Sequence, residues 1–144
     1  MSVAANLAKV QARIARAAEA AGRDPASIRL LAASKTRSAD AVEQALAAGH
    51  TLFGESKAQE LRDKANVLAG RNLEWHFIGA LQKNKVKYVV GRAAMVHSVD
   101  RFELAQALSD RCQSQGVPPI GVLLQVNLAG EVTKSGTTRA EALV

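Results

Sequence analysis

Apolar residues recur at Val3, Leu7, Val10, Ile14 and Ala18, at spacings of four, three, four and four. That period predicts an amphipathic helix with Gly22 as its stop. Asp24-Pro25 caps a short turn, and the mostly apolar run over residues 28–33 predicts a buried strand. Ser38 opens a second helix with Asp40 in its first turn, and Gly49 closes it after an alanine-rich stretch. The alternation then repeats. Residues 51–54 predict a short strand, and Ser56 with Gln59 has the spacing of a capping box for a helix carrying Leu61, Ala65 and Leu68 up to Gly70. A third strand is expected over 73–79, a helix over 81–90, and a fourth strand over 94–98. Residues 101–115 predict a helix with Phe102, Ala105, Leu108 and Cys112 on one stripe. After Pro118-Pro119 a fifth strand is expected over 120–128, and Thr138 with Glu141 offers a capping box for a last helix.

Strands that alternate with helices in this way call for a parallel sheet covered by helices. An open doubly wound sheet and a (β/α)8 barrel both fit. No Gly-x-Gly-x-x-Gly follows the first strand and no Gly-Lys-Ser/Thr occurs, so the usual phosphate loops of open sheets are missing. That favours the barrel. A complete barrel takes about 250 residues, and at least roughly 200; this chain has 144. The expectation is an α/β fold: a single domain over residues 1–144, a partial TIM-type barrel of about five strands, preceded by an N-terminal helix and truncated at its C-terminal end. Five strands leave two unpaired edges, so a marginal fold or an association that covers them is expected.

Composition narrows the function. The chain is 48% hydrophobic and 22% charged, ordinary for a soluble domain, and no apolar run is long enough to span a membrane. The first residues lack a charged segment followed by an apolar one, so no secretory signal is read. Cys112 is the only cysteine, which fits a reducing cytoplasm. A net charge of +6 favours anionic ligands in general. Aromatics at 3% argue against a single-strand nucleic-acid binder, which needs stacking platforms.

In either architecture ligands sit at the C-terminal ends of strands. The polar groups expected there are Ser34-Lys35-Thr36, Gly54-Glu55-Ser56-Lys57, His76, Gly79 to Gln82, His97-Ser98-Asp100, Gln125 and Asn127. Strand alternation puts Leu31, Ala33 and Lys35 on one face. A lysine at a dry barrel mouth loses its proton more easily, and a neutral amine attacks an aldehyde. The same position also suits a lysine that snorkels to solvent, and position alone leaves both readings open. His76 shares a face with Ile78, either lining a ligand site or hydrogen-bonded in the core. His97 reads as a strand-end structural residue. His50, His76 and His97 have no close spacing and no cysteine partner, so no zinc site is expected. Lys83, Lys85 and Lys87 form either a solvated helix face or an anion or nucleic-acid patch.

Several motifs, taken in order, carry a resemblance. They are Leu31-Ala32-Ala33-Ser34-Lys35-Thr36, Phe53-Gly54-Glu55, Gln59-Glu60, the run from Trp75 to Gln82, Lys83-Asn84-Lys85, His97-Ser98-Val99-Asp100, Gln125-Val126-Asn127 and Lys134-Ser135-Gly136. From about Leu30 onward the chain resembles the pyridoxal phosphate (PLP) homeostasis family, whose members share the fold of the N-terminal domain of alanine racemase. The resemblance implies a PLP-binding barrel in which Lys35 carries the cofactor as a Schiff base. It also implies a non-catalytic cytoplasmic protein that holds PLP reversibly and influences its supply, with PLP-requiring enzymes as partners. Ser56, His76 and Lys134 are further candidates for the cofactor's surroundings, Lys134 as a second amine in the loop after the fifth strand.

There are two departures. The family usually has Asn, often with an aromatic or Arg next, where Ser56 and Lys57 stand. Its phosphate-holding motifs come late in the barrel and have no matching position here, in keeping with the general place of barrel phosphate sites. An alternative is a PLP-dependent amino-acid racemase-like enzyme. Racemases of this fold use a second acid/base, usually a tyrosine, opposite the lysine. The only tyrosine, Tyr88, falls in the helix expected over 81–90. A basic nucleic-acid or anion-binding module on Lys83, Lys85 and Lys87 is a third reading.

Overall fold

The computed structural model describes residues 2–143. Five parallel strands form one sheet in the order β1 (Ala32–Ala33), β2 (Leu52–Glu55), β3 (Glu74–Phe77), β4 (Ala93–Val99) and β5 (Gly121–Leu124). The helices are α1 (Val3–Ala20), α2 (Ala39–Ala47), α3 (Ala58–Val67), α4 (Val86–Val89), α5 (Phe102–Gln115) and α6 (Arg139–Ala142). Each strand pairs with the next in sequence. That is the singly wound order of a (β/α)8 barrel; a doubly wound sheet reverses its order at a switch point. The described strands do not close, because β1 and β5 each have a neighbour on one side only.

Local chemistry accounts for most boundaries. Ser2 and Ser38 cap α1 and α2 by accepting from the amides of Ala5 and Ala41. Asp24 caps the 3-10 turn Pro25–Ser27, and α5 ends at Gly116 in the left-handed conformation at φ +64°. Thr138 and Glu141 form the expected capping box of α6. One face of the sheet packs on the helices through Phe53, Trp75, Phe77 and Val96 against Val42, Leu61, Val89, Leu104 and Leu108. Burying each of these larger side chains contributes about 1.5–3 kcal/mol. The opposite face carries Leu31, Gly54 and Ile78: a side chain at Gly54 would meet those of Leu31 and Ile78.

Several expectations are corrected. The first strand is two residues long, because residues 28–31 follow the 3-10 turn and lie beyond the ladder with β2. The fifth stops at Leu124, because Gln125 and Asn127 bond to the loop that follows. The helix over 81–90 is a 3-10 turn, Lys83–Lys85, and the single turn α4; three lysines of like charge and the β-branched Val86, Val89 and Val90 disfavour a longer one. The capping box of Ser56 and Gln59 does not form: Lys57 is the N-cap of α3, without a side-chain cap. Phe102 is exposed at the first position of α5, and Leu104, Leu108 and Cys112 form the buried stripe instead.

Candidate functional site

The strand ends meet in a layer of polar residues. Beneath Lys35 the chain has built a buried ionic network. Lys64, on α3, donates to the Ser34 carbonyl (2.8 Å), Glu55 Oε1 (2.7 Å) and Glu60 Oε1 (2.9 Å), so all three ammonium hydrogens find acceptors. Ser34 Oγ donates to Glu55 Oε1 at 2.6 Å. Glu55 is fully buried, and its Oε2 has no partner among the described residues. Glu60 Oε1 also accepts from the Thr36 amide at 2.9 Å. The hydrogen bond from Lys64 holds the Glu60 carboxyl below the usual carboxylate range, against the opposing effect of its partial burial.

Lys35 itself is exposed, and it makes no ion pair or side-chain hydrogen bond among the described residues. The dry mouth expected around it is not formed by these strands, since only β2 flanks β1. Thr36, next to it, takes φ +64°, a left-handed conformation that a β-branched residue rarely adopts.

Ser56 follows β2, and its backbone lies directly against Gly79. The Ser56 hydroxyl makes no hydrogen bond among the described residues, so it is free to accept or donate.

The face opposite the helices carries a second chain of polar groups. Arg29 Nη2 donates to Glu74 Oε2 (2.8 Å), Glu74 Oε1 meets His76 Nε2 (2.7 Å), and His76 Nδ1 meets His97 Nε2 (2.9 Å). Both ring nitrogens of His76 are engaged. The hydrogen bond from His76 draws the Glu74 carboxyl below its ordinary value, and burial, followed by the neighbouring His76, lowers that of His97. The sequence spacing of these histidines gave no sign of the pair. It arises because β3 and β4 run side by side with a register shift at Trp75/His76 that sets His76 opposite Met95.

Around β5 the motif residues are scaffolding. Gln125 Nε2 donates to the Ser135 carbonyl, Asn127 Nδ2 to the Glu131 carbonyl, and the Gly136 amide to Asp100 Oδ2. These bonds hold the loop over the end of β4. Lys134 stands exposed in that loop, 3.0 Å from Glu131 Oε2. Tyr88 lies on α4 in the helical layer, with Arg62, Lys85 and Lys87 about its ring.

Sequence reasoning singled out Lys35 and passed over Lys64. The available signal was its place on α3: Leu61, Lys64 and Leu68 recur at three and four, so a lysine occupies a core-facing position one turn after Glu60.

The order of strands defines an α/β protein of barrel type, with polar residues gathered at the C-terminal ends of its strands and an exposed lysine, free of any ion pair among the described residues, just after the first of them. No family model matches the chain. It is 52% identical over 135 residues to the pyridoxal phosphate homeostasis protein of Pseudomonas aeruginosa, covering 94% of this chain and 58% of that one. The Escherichia coli protein of the same name is 43% identical over 142 residues, covering 96% and 60%. A crystal structure of an unknown protein from Bifidobacterium adolescentis superposes with a TM-score of 0.87 at 38% identity, over 97% of this chain and 60% of that one. PipY of Synechococcus elongatus, in a structure with PLP bound, gives a TM-score of 0.73 at 35% identity, over 88% and 58%. The chain belongs to the pyridoxal phosphate homeostasis protein family, and it spans about three fifths of the length of the curated relatives it matches.

Proposed function

We propose that the chain binds pyridoxal 5′-phosphate on Lys35 and serves to hold and release that cofactor in the cytoplasm, without turning over an amino acid of its own. The observation that carries this reading is Lys35: an exposed amine free of any ion pair among the described residues, at the end of β1, over a buried ionic network. The PLP-bound PipY structure and the names of the relatives support it. The residues fit the aldehyde end of the cofactor. When bound, PLP supplies an aldehyde that condenses reversibly with an amine. Lys35 provides that amine, and the free hydroxyl of Ser56 lies in the loop after the neighbouring strand. His76 has no free ring nitrogen, so its role in this reading is to brace β3 against β4. The motifs that hold the phosphate in the family have no counterpart among these residues, and the excess of positive charge attracts the phosphate only diffusely. PLP-requiring enzymes are the recipients in this proposal.

The test is the absorbance spectrum of the protein with added PLP, before and after borohydride reduction. A reduced adduct mapped to Lys35 is the expected result; no adduct on this chain overturns the reading. A racemase needs an acid/base opposite the lysine, and Tyr88 lies in the helical layer among three cations. Racemisation of alanine by the purified protein would reverse that assignment. Salt-sensitive binding of nucleic acid that persists in Lys35→Ala would argue instead for the basic module.

A further inference from the structure

The two peptide groups that flank Lys35 are both held by one ion pair on α3. The carbonyl before it, that of Ser34, accepts from Lys64 Nζ at 2.8 Å. The amide after it, that of Thr36, donates to Glu60 Oε1 at 2.9 Å. Lys64 and Glu60 are themselves joined at 2.9 Å, four residues apart on the helix. Glu55, at the end of β2, anchors the pair from below by meeting Lys64 at 2.7 Å and Ser34 Oγ at 2.6 Å. Lys64 and Glu55 are 8% and 0% exposed, so these contacts are shielded from water and salt. The turn they hold is one the chain does not adopt freely, since Thr36 sits at φ +64°. Strain of that kind persists only where the surroundings impose it.

We infer that Lys64 and Glu60 are positioning residues for Lys35: their ion pair, seated on Glu55, clamps the backbone on both sides of Lys35 and fixes where its amine stands. An amine on an exposed, flexible stem gains nothing from its strand unless its own backbone is fixed, because a misplacement of about 1 Å lowers reactivity sharply. The inference rests on the reading that Lys35 holds PLP, yet the clamp can be measured without the cofactor.

The test compares wild type, Lys64→Met and Glu60→Gln. Amide hydrogen exchange without PLP reads the clamp. Borohydride capture of PLP on Lys35, followed in time at several PLP concentrations, reads its consequence. In both variants the Thr36 amide should exchange several-fold faster, up to about tenfold, because Lys64→Met leaves Glu60 without the cation that holds it and Glu60→Gln leaves Thr36 a neutral acceptor in place of a charged one, while Val96 in the core is unchanged. Capture at saturating PLP should slow by about the same factor, with little change in the concentration for half-saturation. A general loss of structure would instead speed exchange at Val96 as well. Wild-type exchange at Thr36 together with a wild-type capture rate, in either folded variant, overturns the inference. If Lys64→Met does not fold, Glu60→Gln decides alone, because Glu60 is only half-buried and its amide analogue keeps the shape. No capture in wild type refutes the PLP reading, and the Thr36 exchange then still decides the clamp.

Discussion

Gly79 stands in the most recognisable motif of the chain, between Ile78 and Ala80 at the end of β3, and the structure gives it a purely spatial role. Its φ does not lie in the left-handed region, so alanine suits its backbone conformation. A Cβ there would run into the carbonyl oxygen, carbonyl carbon and Cα of Ser56. All three atoms are backbone, and relief requires the loop after β2 to move. Overpacking a well-filled site costs about 1–3 kcal/mol, and a backbone obstacle puts Gly79→Ala at the upper end, about 3 kcal/mol. For a chain of this size that lowers the melting midpoint by roughly 10 °C. Gly54→Ala is the control. Its Cβ would meet Leu31 Cδ2 at 2.5 Å and Ile78 Cδ1 at 3.1 Å, close contacts but with side-chain atoms only. Those are ends of flexible side chains beside an open edge, and alanine recovers about 0.5–1 kcal/mol of backbone entropy in a strand. The net change at Gly54 should stay within about 1 kcal/mol, or about 3 °C. Thermal unfolding followed by circular dichroism, with both variants in one buffer, measures the difference. A Gly79→Ala protein that melts close to wild type, or a Gly54→Ala protein that loses more, would refute the argument that backbone obstacles decide the cost.

Lys35→Ala should abolish PLP capture while moving stability by no more than about 0.5 kcal/mol, since the side chain is exposed and unpaired; urea unfolding and borohydride trapping measure the two separately. Lowering the pH should destabilise the fold in two stages. His97 is held below 6.5, so the unfolded chain takes up its proton first, and the stability it confers, complete above 6.5, is lost as pH falls through the folded value. Glu60 and Glu74 are held below 4.5, so their contribution, complete above 4.5, is lost at lower pH still. Melting midpoints measured across this range should fall in both windows, and His97→Gln should flatten the upper one. The exposed Val122, Leu123 and Leu124, at 46%, 46% and 52%, lie on an edge strand, so the 144-residue chain should self-associate with rising concentration. Leu123→Lys should weaken that association in sedimentation, and a monomer with a sharp cooperative melt at high concentration would contradict it.

The sequence made the alternation of strands and helices legible, because each unit ends in a glycine or a cap whose chemistry is local. It also placed Lys35 just after the apolar run that forms the first strand, and there the structure has it exposed. What it did not reveal depends on register or on burial by distant elements. His76 and His97 meet through the register shift between β3 and β4, a property of the pair and of neither strand. Lys64 reads as an ordinary helix lysine until Glu55 and the Ser34 carbonyl, contributed by two strands, are brought under it. Phe102 misled for a related reason: hydrophobicity nominated it for the core, but at the start of α5 it is exposed, and Leu104 takes the buried place.

Sheet order also bears on Lys134. Lys35 follows β1 and Lys134 follows β5, so they lie four strand spacings apart. In an eight-stranded barrel four spacings are half the circumference, which sets the two loops opposite each other across the mouth. With strands about 4.8 Å apart and tilted by about 36°, the diameter is about 15 Å, against about 19 Å across a flat sheet of the same strands. Two extended lysine side chains approach each other across the first distance and fall well short across the second. Lys134 is exposed and bound only to Glu131, also an exposed residue, a contact weak enough to give up. We therefore expect Lys134→Ala to leave the extent of PLP capture on Lys35 unchanged and to alter the rate at which captured PLP passes to an added amine acceptor, since Lys134 would act as a second amine on the way out. Release followed by stopped-flow absorbance measures that rate. An identical rate in the variant and wild type removes Lys134 from the proposed site and leaves Lys35 as the one amine in that proposal.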